Sequence, residues 1–299
     1  MDRREIIKKL SALPLAGAMY PFEPALATQP RRGASATPAQ NIYQALGVEP
    51  VINCVGTYTI LGGSIERPEV LEAKRAATPF FVQLDELAYA IGQRLADLTG
   101  AEWGMVSAGC AAGMKHVTAA CVTGGSPERL IRIPNLTGFE KTEVVSPRGS
   151  RNAYDHSVRN IGVDMITVDT IEEMEKVLSS KTAMIYLTAS SSDGPFSVAE
   201  VARIAKPYKI PVFVDAAAQD LTIPNIHLQA GADIVAYSGG KALCGPQSAG
   251  LILGNKQILL SAWQASSPHH GPGRDNKVGK DEMVGMVAAV ESWIARDHV

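Results

Sequence analysis

The feature that most restricts the fold is a rhythm of short, unbroken apolar runs separated by helical stretches. The clearest run is Pro211-Val212-Phe213-Val214-Asp215, apolar until it closes on a carboxylate. Further strand-like runs occupy 102–106, 129–133, 141–146, 164–168, 182–188, 233–237 and 250–253. Helical patterns fall at 41–46, 68–99, 111–121, 152–161, 171–179 and 198–208. Runs that are apolar at successive positions suit strands covered on both faces. The alternation therefore predicts an α/β, three-layer architecture, a mostly parallel sheet with helices on both faces. Within 68–99, Pro68 suits a first turn, Pro79 should interrupt the helix, and Gly100 suits the stop. Ligands of such sheets collect beyond the carboxyl ends of the strands.

Composition narrows the partners. The 28 basic and 30 acidic residues leave a net charge of -2, with no basic excess for nucleic acid. Cys54, Cys110, Cys121 and Cys244 form no C-x-x-C and no zinc-type pairing with histidine. They are expected to be small buried residues, and no metal is expected. His269-His270 precede Gly271-Pro272-Gly273 and read as loop.

The first 27 residues resemble an address. Arg3-Arg4 and Lys8-Lys9 precede a short apolar stretch, and Pro24-Ala25-Leu26-Ala27 supplies an A-x-A cleavage pattern. The paired arginines resemble a twin-arginine export signal, which implies a periplasmic or secreted protein; a cytoplasmic amphipathic helix is the alternative. The apolar part is too short to span a bilayer, and 28–40 reads as a linker.

Three pieces carry chemistry. Ser107-Ala108-Gly109-Cys110-Ala111-Ala112-Gly113 joins a strand to a helix. Its small residues would let backbone N–H groups at the helix start approach a phosphate, although small residues also serve close packing. Asp215 ends a buried strand, where its charge needs compensation. A protonated pyridine nitrogen is one fitting partner; a local arginine or the next turn is another. Lys241 follows Ser238-Gly239-Gly240 just past a strand, unlike a solvated surface lysine, and its amine is placed for Schiff-base formation. A nucleotide P-loop ending at Gly240-Lys241 would need Gly at 235 and Ser or Thr at 242, where Val235 and Ala242 stand. A phosphate cup, a strand-end Asp and then a lysine, in that order, is the layout that holds pyridoxal phosphate (PLP) at three points.

The segments PVINCVGTYTILGGS, VSAGCAAG, PVFVDAAAQ, ADIVAYSGGKALCGPQSAGLILG and GRDNKVGKDEMVGMVAAVES resemble the selenocysteine-synthase-like branch of fold-type-I PLP enzymes, which includes D-glucosaminate-6-phosphate ammonia-lyase. The resemblance implies Lys241 as the cofactor-bearing lysine and Asp215 as the ring-nitrogen partner. It places Ser107, Gly109, Cys110 and Ser238 around the phosphate, and Gln219 at the ring hydroxyl. It implies a homodimer or larger homo-oligomer. It also implies a PLP-binding domain over 41–270 and a connecting helix within 271–299, with most of a small C-terminal domain missing. The family's ring-stacking histidine is replaced by the run Arg148-Gly149-Ser150-Arg151, which leaves His156 as a candidate. Arg148, Arg151 and Arg274 are candidates for a substrate carboxylate; Lys277 and Lys280 are further candidates for an anion. The implied reaction is α-proton removal and β-elimination from an amino acid or amino-sugar acid, releasing ammonia and a 2-keto acid. Seleno-transfer on seryl-tRNA and a catalytically silent PLP-binding protein are the alternatives.

Overall fold

A computed structural model describes residues 41–189 and 194–298. The expected signal and linker, 1–40, lie outside the described residues. The chain divides into two units, Met1–Ile52 and Asn53–Val299. In the first, the described part holds one helical turn, Ile42–Ala45, capped by the side chain of Asn41.

The second unit is built on a seven-stranded sheet. Its strands are β1 (Trp103–Ser107), β2 (Glu143–Pro147), β3 (Asp164–Val168), β4 (Thr182–Thr188), β5 (Val212–Asp215), β6 (Ile234–Ser238) and β7 (Gly250–Gly254). They lie in the order β1-β7-β6-β5-β4-β2-β3. Strand β7 runs antiparallel to both β1 and β6, while the other pairings are parallel. β1, β4 and β7 are buried at every residue. Alternate side chains point to opposite faces, so burial at every residue means that helices cover both.

The helices are α1 (Pro68–Ala77), α2 (Leu84–Thr99), α3 (Gly109–Thr123), α4 (Ile171–Val177), α5 (Val198–Ala205), α6 (Lys256–Ala265) and α7 (Lys280–Ile294). Helix α5 shows how local sequence sets each one. Ser197 caps it by accepting from the Glu200 N–H, and Val198, Val201, Ile204 and Ala205 form its buried stripe.

Pro79 interrupts the run 68–99 as the sequence predicts, ending α1, and the Gln83 side chain caps α2. Two local expectations need correction. The strand expected at 129–133 is instead a helical turn, Pro127–Leu130, with only Leu130 buried. Pro127 sits at the start of that turn, where its missing N–H costs nothing. Cys54 is exposed rather than buried; Cys110 is buried, Cys121 and Cys244 are half-buried, and all four are free thiols.

Candidate active site

The carboxyl ends of β1, β5 and β6 lie side by side across the sheet, since β7 between β1 and β6 runs the other way. That geometry gathers Ser107, Asp215 and Ser238 at one edge, and the chain leaving β6 carries Lys241 along it. Fold topology alone thus unites residues more than a hundred positions apart.

Helix α3 begins directly after β1. Gly109, its first residue, has φ +81°, a conformation that favours glycine. The helix has no side-chain cap, so its first-turn N–H groups remain available to an anion. The Gly109–Cys110 backbone is braced by β7: a Cβ added to Gly250 would stand 2.5 Å from Gly109 C and 2.6 Å from Cys110 N. Ser107 is buried, and its hydroxyl donates to the Gly109 carbonyl at 2.8 Å, which shapes the turn from beneath.

Asp215 is held from several sides. Its Oδ1 accepts the Ala217 N–H at 3.1 Å and faces Cys110 Sγ at 3.5 Å. Its Oδ2 accepts the Tyr186 hydroxyl at 3.2 Å. Burial, then the Asp215 charge, pushes the Cys110 thiol well above its ordinary range, while the Lys241 charge acts in the opposite sense. Cup, carboxylate and lysine therefore share one electrostatic neighbourhood.

Lys241 sits in a tight turn. The Cys244 N–H donates to the Lys241 carbonyl at 3.0 Å, and Ser64 N–H donates to the Gly240 carbonyl at 2.8 Å. Arg296, beyond α7, donates to the carbonyls of Ala242 and Leu243. Gln247 donates to the Thr59 carbonyl at 3.0 Å. The last bond ties the segment 55–59 to the turn that carries Lys241, and an open cavity of about 350 Å³ is lined there by Tyr58, Tyr154, Ala218 and Lys241 among others.

Other expected residues are engaged elsewhere. Gln219 is exposed and meets the buried His227 at 2.7 Å. Arg148 forms a two-pronged pair with Asp169, at 2.6 and 2.8 Å, and is well exposed. Arg151 bonds Asp155 and Thr167. Arg274 is exposed and reaches Ser267 at 3.3 Å. Lys280 caps the end of α1 through the carbonyls of Ala77 and Thr78. Ser150, where the family's histidine is expected, is buried, and its Oγ accepts the Thr188 N–H at 3.0 Å. His156 is exposed; the aromatic side chains on the lysine cavity are Tyr154 and Tyr58. Sequence reasoning missed Tyr58, Tyr154 and Tyr186. The first two lie within segments it had already flagged. No group of His, Cys, Asp and Glu among the described residues is arranged to hold a metal.

Residues 150–274 match the aminotransferase class-V family model. The chain is 34% identical over 265 residues to D-glucosaminate-6-phosphate ammonia lyase of Salmonella typhimurium, covering 85% of this chain and 70% of that enzyme. The chain belongs to this family of PLP-dependent enzymes. A solved structure of a D-glucosaminate-6-phosphate ammonia-lyase superimposes with a TM-score of 0.80 at 32% identity, over 87% of this chain and 72% of that one. A 5'-C-glycyluridine monooxygenase-decarboxylase from Streptomyces is 31% identical, over 85% of this chain and 65% of that protein. An L-seryl-tRNA(Sec) selenium transferase from Proteus mirabilis is 25% identical, over 84% and 58%.

The described residues fit the family's cofactor. PLP needs an anion seat, a partner for its ring nitrogen and an amine for its aldehyde. The uncapped start of α3, Asp215 and Lys241 would supply one each.

Proposed function

We propose that this chain is a PLP-dependent ammonia-lyase whose substrate is a 2-amino acid bearing a hydroxyl at its β-carbon, such as a hydroxylated or amino-sugar acid. The 34% identity to the Salmonella ammonia lyase carries this reading. When bound, the cofactor supplies a carbonyl that captures the substrate amine and a ring that stabilises negative charge at the α-carbon. Lys241 holds the cofactor at rest and, once displaced, accepts the α-proton at Nζ. Asp215 keeps the ring nitrogen protonated. The N–H groups opening α3 seat the phosphate, and the 55–59 segment supplies one wall of the cavity beside Lys241. Lys241 Nζ would pass the α-proton to the departing β-hydroxyl, which leaves as water, and by rebonding the cofactor aldehyde would free an enamine, which tautomerises to the imine and is hydrolysed to ammonia and a 2-keto acid.

Two coarser features accompany this reading. Val55, Tyr58, Ile60, Ile65, Phe80, Phe81 and Val82 are all exposed, and this apolar surface includes part of the Lys241 cavity wall. We assign it to contact with a second copy of the chain. Export by the twin-arginine route is proposed from Arg3-Arg4 and the Ala25-Leu26-Ala27 pattern; it favours an unphosphorylated substrate, because sugar phosphates are mainly cytoplasmic. No helix among the described residues is long and apolar enough to cross a membrane.

The test incubates PLP-loaded protein with 2-amino-3-hydroxy acids, sugar-derived and simple, with and without a terminal phosphate. Equimolar ammonia and 2-keto acid are expected from at least one. A well-folded, PLP-loaded protein that releases neither from any of them overturns the reading.

A further inference from the structure

Asp215 alone does not explain the polar structure around it. Tyr186 lies on β4, the strand beside β5, and Thr188 is the direct partner of Asp215. Two residues along a strand return to the same face, so Tyr186 and Asp215 project together. The Tyr186 ring is fully buried, stacked at a tilt against Phe213 at 6.1 Å. Its hydroxyl donates to Asp215 Oδ2 at 3.2 Å, and the nearby Asn152 side chain acts to lower its pKa. Asn152 also caps the turn that presents Tyr154, accepting from the Tyr154 N–H at 2.7 Å.

We propose that Tyr186 is a positioning residue for the cofactor: its hydroxyl fixes the Asp215 carboxylate in the plane that receives the pyridine nitrogen. This rests on the PLP reading above. The tyrosine acts through Asp215 and touches neither cofactor nor substrate. Asp215 is half-buried and takes donors from Ala217 N–H and Tyr186 on separate oxygens. The two contacts prevent rotation about the carboxylate bond. The phenol itself stays protonated, because burial and the neighbouring Asp215 charge both push its pKa upward. Tyr186 is thus a fixed donor at every working pH.

The experiment is a double-mutant cycle on PLP affinity in the full chain, with Tyr186→Phe, Asp215→Asn and the pair. Tyr186→Phe keeps the ring and its packing. It should weaken PLP binding about tenfold, the worth of one hydrogen bond to a charged group. It should also shift the pH at which the visible band of the bound cofactor changes. In the Asp215→Asn background the same change should have little further effect, since the group it positions is gone. Asn152→Asp is the second variant. It keeps the cap on Tyr154 but offers the phenol a competing acceptor, so its effect should run in the same direction. Equal affinity and an unmoved band in Tyr186→Phe, or losses that simply add to those of Asp215→Asn, overturn the proposal. If borohydride fails to trap PLP on Lys241 in the unmodified protein, the PLP reading itself has failed, and the two failures are distinct.

Discussion

At the residue scale, the candidate site separates groups that meet the chemistry from groups that hold them. Lys241 lines the cavity, whereas Ser107, which the sequence places in the site, and Ser150, which stands where the family's histidine is expected, hold backbone. Ser107 bonds the Gly109 carbonyl and Ser150 accepts from Thr188. Replacing Lys241 by Ala should abolish covalent attachment, and peptide mapping after borohydride treatment would show no labelled peptide at 241. A label on another lysine would refute the assignment. A second residue with a measurable signature is His116 on α3. It is fully buried, and neither ring nitrogen has a partner among the described residues. Burial lowers its pKa from 6.5 to about 3. The unfolded chain therefore binds a proton that the folded one refuses between those values. Stability is full above the unfolded pKa and falls as pH drops through that window. His116→Leu should flatten the dependence: its urea midpoint should fall less than the native chain's between pH ~7 and pH ~4. An identical fall in both would assign the acid sensitivity to other groups.

At the element scale, the cup is a joint product of three elements. Strand β1 delivers Ser107, α3 opens without a side-chain cap, and β7 braces the turn through Gly250. Adding a methyl at 250 cannot be absorbed by a flexible side chain, because its neighbours are the backbone atoms of Gly109 and Cys110. Gly250→Ala should destabilise the fold by about 1–3 kcal/mol, the usual cost of overpacking. It should also weaken PLP binding while leaving Lys241 able to react. Thermal melting and a PLP titration would check this; unchanged PLP affinity would show that the cup yields without consequence. The element scale also explains which sequence readings failed. Strands β3 and β4 were readable to the residue, 164–168 and 182–188, because their apolar runs are bounded by turn or polar residues. The stretch 129–133 mixes two Arg with Leu and two Ile, a pattern that suits a half-buried strand or a surface turn alike. Packing chose the turn by burying Leu130 alone.

At the scale of the whole molecule, the exposed apolar stretch is the main unsettled energy. Phe81 is fully exposed and Ile60 and Ile65 are about 90% exposed, an arrangement that favours association. Phe81→Glu should shift the proposed assembly toward monomer, as read by sedimentation at matched concentration, and should lower activity in parallel. A native chain that sediments as a monomer would remove the assembly from the proposal. The sequence by itself determined the fold class and the cofactor, and it singles out 109–110, 215 and 241 as the proposed anchors, because each is a local signal: a small-residue turn, a strand-end carboxylate, a lysine after paired glycines. Only the tertiary structure decided what surrounds them. It turned Arg148 and Arg151 to Asp169 and Asp155, gave Gln219 to His227, and set Tyr186 on Asp215 and Tyr154 beside Lys241. Such pairings depend on strand order and register, which bring residues 186 and 215 together across neighbouring strands. No local pattern of side chains encodes that proximity.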